Sequence, residues 1–142
     1  MKRPERILKA FKTRSDEAAR IVDELREARG QALNRQVEIL RSIETAHDTA
    51  RRDRSLAGAA AGYSQRALGD AARLRGEAEK IANAEVTARE QLIDRFADQK
   101  RFEVYLSQRQ LKQQTANRKR EEARLLEEID QLQAAKIRQE TK

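Results

Sequence analysis

From Leu8 onward the apolar residues recur at alternating steps of three and four. The line runs through Leu8, Phe11, Ser15, Ala18, Val22, Leu25, Arg29, Ala32, Gln36, Ile39, Ile43, Ala46 and Ala50, with Ser15, Arg29 and Gln36 as its interruptions. A mean step of about 3.5 residues is that of a helix whose narrow apolar stripe faces one neighbouring helix. Ile21, Leu33, Val37 and Leu40 lie beside the stripe and widen it. Nothing broader can be built from these residues. Of the 142 residues 39% are charged and only 4% aromatic, and tryptophan is missing. A globular core needs bulky side chains arriving from several directions, whereas a seam between two helices needs few.

The expected fold is all-α: a long antiparallel two-helix coiled-coil hairpin with a longer C-terminal helix, forming one domain over residues 1–142. The first helix is expected over about 4–55, where Pro4 sits in the first turn and its missing N–H costs little. The repeat breaks at Leu56–Tyr63, where charge vanishes and Gly58 and Gly62 stand four apart. Glycine gives the backbone freedom a reversal needs, so the turn is expected over about 56–63. Ser64 is then the expected N-cap of a second helix over about 64–138. One continuous helix is the alternative, at roughly 1 kcal/mol for each glycine.

The second helix carries Leu68, Ala71, Leu74, Ala78, Ile81, Ala88, Leu92, Phe96, Leu106 and Leu111 at helical spacing, with a slip between Ile93 and Leu111. A regular repeat then returns at Leu111, Thr115, Arg118, Glu122, Leu125, Ile129 and Leu132. At 1.5 Å per residue the two helices would span roughly 78 and roughly 112 Å. Folding the chain about residue 60 sets Leu8 opposite residue 112 and leaves Leu125, Ile129 and Leu132 without an internal partner. An uncovered stripe at helical spacing marks a face that another protein covers.

Charge gathers at the same end. Lys2, Arg3, Arg6, Lys9, Lys12 and Arg14 crowd the first residues against the single acid Glu5, and Arg109, Lys112, Arg118, Lys119, Arg120 and Arg124 would lie opposite or beyond them. The net charge is +7. This arrangement suits docking onto an acidic partner, and equally the solvation of a thin pair of helices. Because acids alternate with bases along most of the chain and aromatics are few, nucleic acid is not the expected partner.

Catalytic chemistry finds no foothold. His47 is the only histidine and cysteine is absent, so neither a thiolate metal site nor a cysteine nucleophile can be built. Gly58 and Gly62 lack the Lys-Ser/Thr pair of a phosphate loop. Glu121/Glu122 and Glu127/Glu128 lie on a helix with no cavity to perturb them. No enzyme, cofactor or metal is expected. No apolar run approaches the length of a membrane span, and the basic start leads into an amphipathic stretch instead of a signal-peptide core, so a cytoplasmic protein is expected.

The stretch Lys100-Arg-Phe-Glu-Val-Tyr-Leu-Ser-Gln-Arg109, followed by Arg118, Arg120-Glu121 and Leu125-Leu-Glu-Glu-Ile-Asp130, resembles the C-terminal pattern of the FliJ family of bacterial flagellar type III export. Arg14-Ser-Asp-Glu-Ala-Ala19 near the start, with Leu25, is similar to that family's first helix. The YscO-type proteins of virulence secretion are a close rival. The resemblance implies a non-enzymatic central stalk that binds a hexameric export ATPase and links it to the membrane export-gate protein, with export chaperones as further partners, in the cytoplasm beside the inner membrane at the flagellar base. It implies ring-gripping roles for Arg6, Lys9, Lys12, Arg109, Arg118, Arg120, Arg124, Leu125, Ile129 and Leu132. The alternative is a structural coiled coil that associates with itself through Leu125–Leu132.

Overall fold

A computed structural model describes residues 2–141. It contains two long helices, α1 (Arg3–Arg52, 50 residues) and α2 (Ala57–Glu140, 84 residues), joined by a single 3₁₀ turn at Arg54–Leu56. No strand occurs among the described residues. None of these helices is long and apolar enough to cross a membrane.

The break falls at Asp53, earlier than the glycines predict. Asp53 is the one extended residue of the junction, with φ −136° and ψ 101°. Its carboxylate accepts hydrogen bonds from the Ser55 backbone N–H at 3.1 Å and from the Ser55 hydroxyl at 2.7 Å. The Leu56 N–H donates to the Asp53 carbonyl at 3.1 Å. A short acidic side chain thus satisfies donors that a helix start leaves orphaned. Residues 57–63, expected as the turn, are helical, and no glycine adopts a positive φ. Ala57, Ala59, Ala60 and Ala61 are strong helix formers, and two glycines among them are too small a penalty to stop propagation. Ser64, expected as a cap, is instead a buried interior residue of α2.

Contacts divide the chain into two units, Lys9–Asp98 and the residues up to Leu8 with those from Gln99 onward. In the unit Lys9–Asp98 the helices fold back on each other as a hairpin. Its pairings run in reverse order: Arg26 and Arg29 meet Glu85, Ser42 meets Tyr63, and His47 meets Ser64. Every position of the α1 line from Leu8 to Ala50 is buried or half-buried, including Ser15, Arg29 and Gln36. The α2 side of this seam is made of Ala60, Ser64, Ala67, Ala71, Ala78, Glu85 and Ala88. Small residues on one helix against Val22, Ile43 and half-buried Leu25 and Ile39 on the other let the axes come close. Leu68, expected in the seam, stays exposed because Ala67 and Ala71 take that face.

In the other unit, Arg3, Pro4 and Ile7 border a groove with Phe102, Tyr105, Leu106 and Arg109. Ile7 therefore lies beside Phe102 and Tyr105, whereas the sequence set its neighbour Leu8 opposite residue 112. Moving the reversal from residue 60 to Asp53–Leu56 shifts every opposing position by twice that displacement. More of α2 is left uncovered than the sequence implied: between Ser107 and Thr141 every residue is exposed except half-buried Thr115.

Candidate interaction surface

Two groups of side chains stand out, one inside a seam and one on open surface. The first centres on Glu85, whose side chain is only 2% exposed. Its Oε1 accepts from Arg89 Nη2 at 2.6 Å, one turn along the same helix. Arg29 Nε stands 3.4 Å from Oε2 and Arg26 Nε 3.6 Å from Oε1, both from α1. Oε2 makes no hydrogen bond within the geometric limits, so the Arg29 contact is an ion pair only. Three guanidinium groups from both helices surround one buried carboxylate. Such a cluster favours one register, because sliding either helix by a turn would take Arg26 and Arg29 away from the buried carboxylate and leave it Arg89 alone. Arg29 was visible in the sequence as a charge in the apolar line; that Glu85 answers it across the hairpin was not.

Two further polar contacts bridge this seam. Tyr63 donates to Ser42 Oγ at 2.6 Å, and Ser42 donates onward to the Ile39 carbonyl at 2.6 Å. Ser64 Oγ lies 3.3 Å from His47 Nε2. No carboxylate orients the His47 ring among the hydrogen bonds of the described residues, so the pair lacks the third member that a nucleophile–base arrangement requires. The described residues hold no group of three or more His, Cys, Asp or Glu side chains that could bind a metal. The hydrogen bonds from the Ser55 hydroxyl and then the Ser55 N–H hold the Asp53 carboxylate below its ordinary value, against an opposing effect of desolvation.

The open surface is the stretch of α2 beyond Leu106. At about 100° per residue, Leu111, Thr115, Arg118, Glu122, Leu125, Ile129 and Leu132 share one face. Leu125 is 52% and Leu132 71% exposed. Of the residues assigned to partner binding, the helix brings Arg118, Leu125, Ile129 and Leu132 together. It sets Arg109, Arg120 and Arg124 on the opposite side. Arg6 is exposed in the same unit, while Lys9 and Lys12 are exposed in the unit Lys9–Asp98. Charge is also divided along this stretch. Arg109, Lys112, Arg118, Lys119 and Arg120 come first with no acid among them; Glu121, Glu122, Glu127, Glu128 and Asp130 follow, with Arg124 the one base between. Among the described residues no ion pair forms beyond Glu103, so all of these charges face solvent.

No protein-family model matches the chain, and no curated protein or solved structure shows significant similarity to it.

Proposed function

We propose that this chain is a non-enzymatic coupling protein, an antiparallel two-stranded coiled coil that docks onto other proteins through the uncovered part of α2. The observation that carries the proposal is the long run of exposed residues from Ser107 onward, which keeps a regular apolar line at Leu111, Leu125, Ile129 and Leu132 although nothing in the chain covers it. A helix that had only to stay solvated would not need that line. The resemblance to the FliJ family makes the partner concrete: a hexameric type III export ATPase, gripped by the apolar line and by arginines that can each offer two hydrogen bonds to one carboxylate. Contacts to the membrane export gate and to export chaperones belong to the same reading, as does a cytoplasmic position at the flagellar base.

The test is co-purification with the export ATPase, together with its turnover and hexamerisation with and without this chain. Binding and a change in turnover are expected. The double variant Arg120→Glu/Arg124→Glu, on the side away from the apolar line, should weaken that binding while helicity by circular dichroism stays unchanged. If the wild-type chain neither binds the ATPase nor alters its turnover, the assignment to an export stalk is wrong.

A further inference from the structure

The face of α2 that carries Leu111, Thr115, Arg118, Glu122, Leu125, Ile129 and Leu132 is self-complementary, so a second copy occupies it when no other protein does. We infer that two chains pair antiparallel through residues 107–133, with the two-fold axis at the level of Arg120. The inference rests on those residues alone and does not depend on any other partner.

In an antiparallel pair about that axis, the seam layers follow from counting outward from Arg120. Leu111 of one copy meets Ile129 of the other, Thr115 meets Leu125, and Arg118 meets Glu122. Each layer occurs twice by symmetry. Apolar residues thus lie on apolar residues or on the Thr115 methyl, with Leu132 on Gln108 at the outer edge, and each seam charge lies on its opposite. A parallel pair in register would instead stack Arg118 on Arg118 and Glu122 on Glu122, burying like charges against each other. Sliding the antiparallel pair by one heptad also fails. In one direction Glu122 faces Leu125 and Arg118 faces Ile129; in the other Leu111 faces Glu122 and Thr115 faces Arg118. One register alone satisfies both charged layers, which is how a polar residue in a coiled-coil seam specifies pairing.

Long-range charge favours the same arrangement. The acid-free basic run Arg109–Arg120 of one copy lies along the run Glu121–Asp130 of the other, in which Arg124 is the one base. The pairing does set Lys119 beside its own copy and Glu121 beside its own copy, but at the exposed rim, where single ion contacts count for little. Residues 107–133 supply about the ~20–30 residues a side of an ordinary specific interface. All of them except half-buried Thr115 are exposed in the single chain, so pairing requires no internal contact to break.

The experiment uses the full-length chain. Light scattering across a concentration series should show the mass rising from 16.3 kDa towards twice that value. Arg118→Glu alone, or Glu122→Arg alone, creates two like-charge layers and should weaken pairing at least ~10-fold. The swap Arg118→Glu/Glu122→Arg should restore it. Orientation is read from spin labels, because the chain has no cysteine of its own. Labels at Ala123→Cys should lie about 9 Å apart along the axis and labels at Ala134→Cys about 42 Å apart. A one-chain mass up to on the order of 100 μM would overturn the inference. So would equal label separations at the two positions, or pairing that ignores both reversals.

Discussion

Replacing Glu85 should cost far less than stripping away two of its arginines, although it removes three ion pairs and they remove two. At about 4 Å and an effective dielectric constant of 20, a pair of unit charges attracts by roughly 4 kcal/mol. Glu85 has three guanidinium partners within that distance, at 2.6, 3.4 and 3.6 Å. Against this stands the cost of taking a carboxylate out of water, several kcal/mol for a group this buried. Because the three guanidinium groups are partly in water, screening reduces each attraction well below that figure, so their sum is of the same size as the desolvation cost and the net contribution of the cluster is small. Glu85→Leu removes the buried charge and leaves a side chain of similar volume in the seam. Its former partners Arg26, Arg29 and Arg89 have side chains 56%, 36% and 50% exposed and can turn to solvent. The expected loss is about 1 kcal/mol or less. Arg29→Met/Arg89→Met leaves the carboxylate in place, 2% exposed, with Arg26 as its remaining partner at 3.6 Å. That change should cost about 3 kcal/mol, the lower end of what breaking a buried pair costs, because the arginines themselves are half in water. Urea unfolding followed by circular dichroism at 222 nm measures both. Equal losses for the two variants, or a larger loss for Glu85→Leu, would show that the carboxylate is not buried against these arginines and that the register drawn from them is wrong.

The other predictions concern the hairpin's backbone and caps. Gly58, Gly62, Gly69 and Gly76 are all inside α2, and an added Cβ would meet nothing within 4 Å at any of them. Each Gly→Ala change should therefore raise stability by about 0.8–1 kcal/mol in urea titrations, whereas a loss at Gly58 or Gly62 would restore the turn to residues 56–63. Ser15 Oγ is buried without a hydrogen-bond partner, so Ser15→Ala should stabilise by about 1 kcal/mol, and an unchanged midpoint would place a bound water there. Asp53 is held below its ordinary value of 3.8 in the folded chain, so its capping contribution is complete above that value and fades as pH falls through the lower folded value. The stability gap between wild type and Asp53→Asn should accordingly shrink on acidification below pH 3.8, and a gap that widens in acid would reverse the sign of this linkage.

The first helix was legible in the sequence almost residue by residue, and the junction was not, for one physical reason. A three-four repeat is a statement about which side of a helix must leave water, and burial follows it whichever residue occupies the position. Hence Ser15, Arg29 and Gln36 proved to lie in the line although each is polar. A turn is a statement about orphaned backbone donors, and it goes to the side chain that can satisfy them. Asp53 with Ser55 two residues later does so with one carboxylate. Gly58 and Gly62 offer only freedom, which an alanine-rich helix overrides at roughly 1 kcal/mol each. The same distinction explains α2. Leu68 was expected inside from its helical spacing to Ala71, but close approach of two helices favours the small neighbour Ala67 beside Ala71. Displacing the junction by a few residues then moved every opposing pair by twice as many, placing Ile7 with Phe102 and Tyr105 and lengthening the exposed run of α2. Partner-binding residues inherit that consequence. Arg109, assigned to an open docking end, borders a groove beside Arg3 and Pro4, while Arg118, Leu125, Ile129 and Leu132 stand on a face that nothing in the chain reaches. Because no internal contact of the fold uses that face, substitutions along it should leave the helices intact, and under the proposed reading they should alter association.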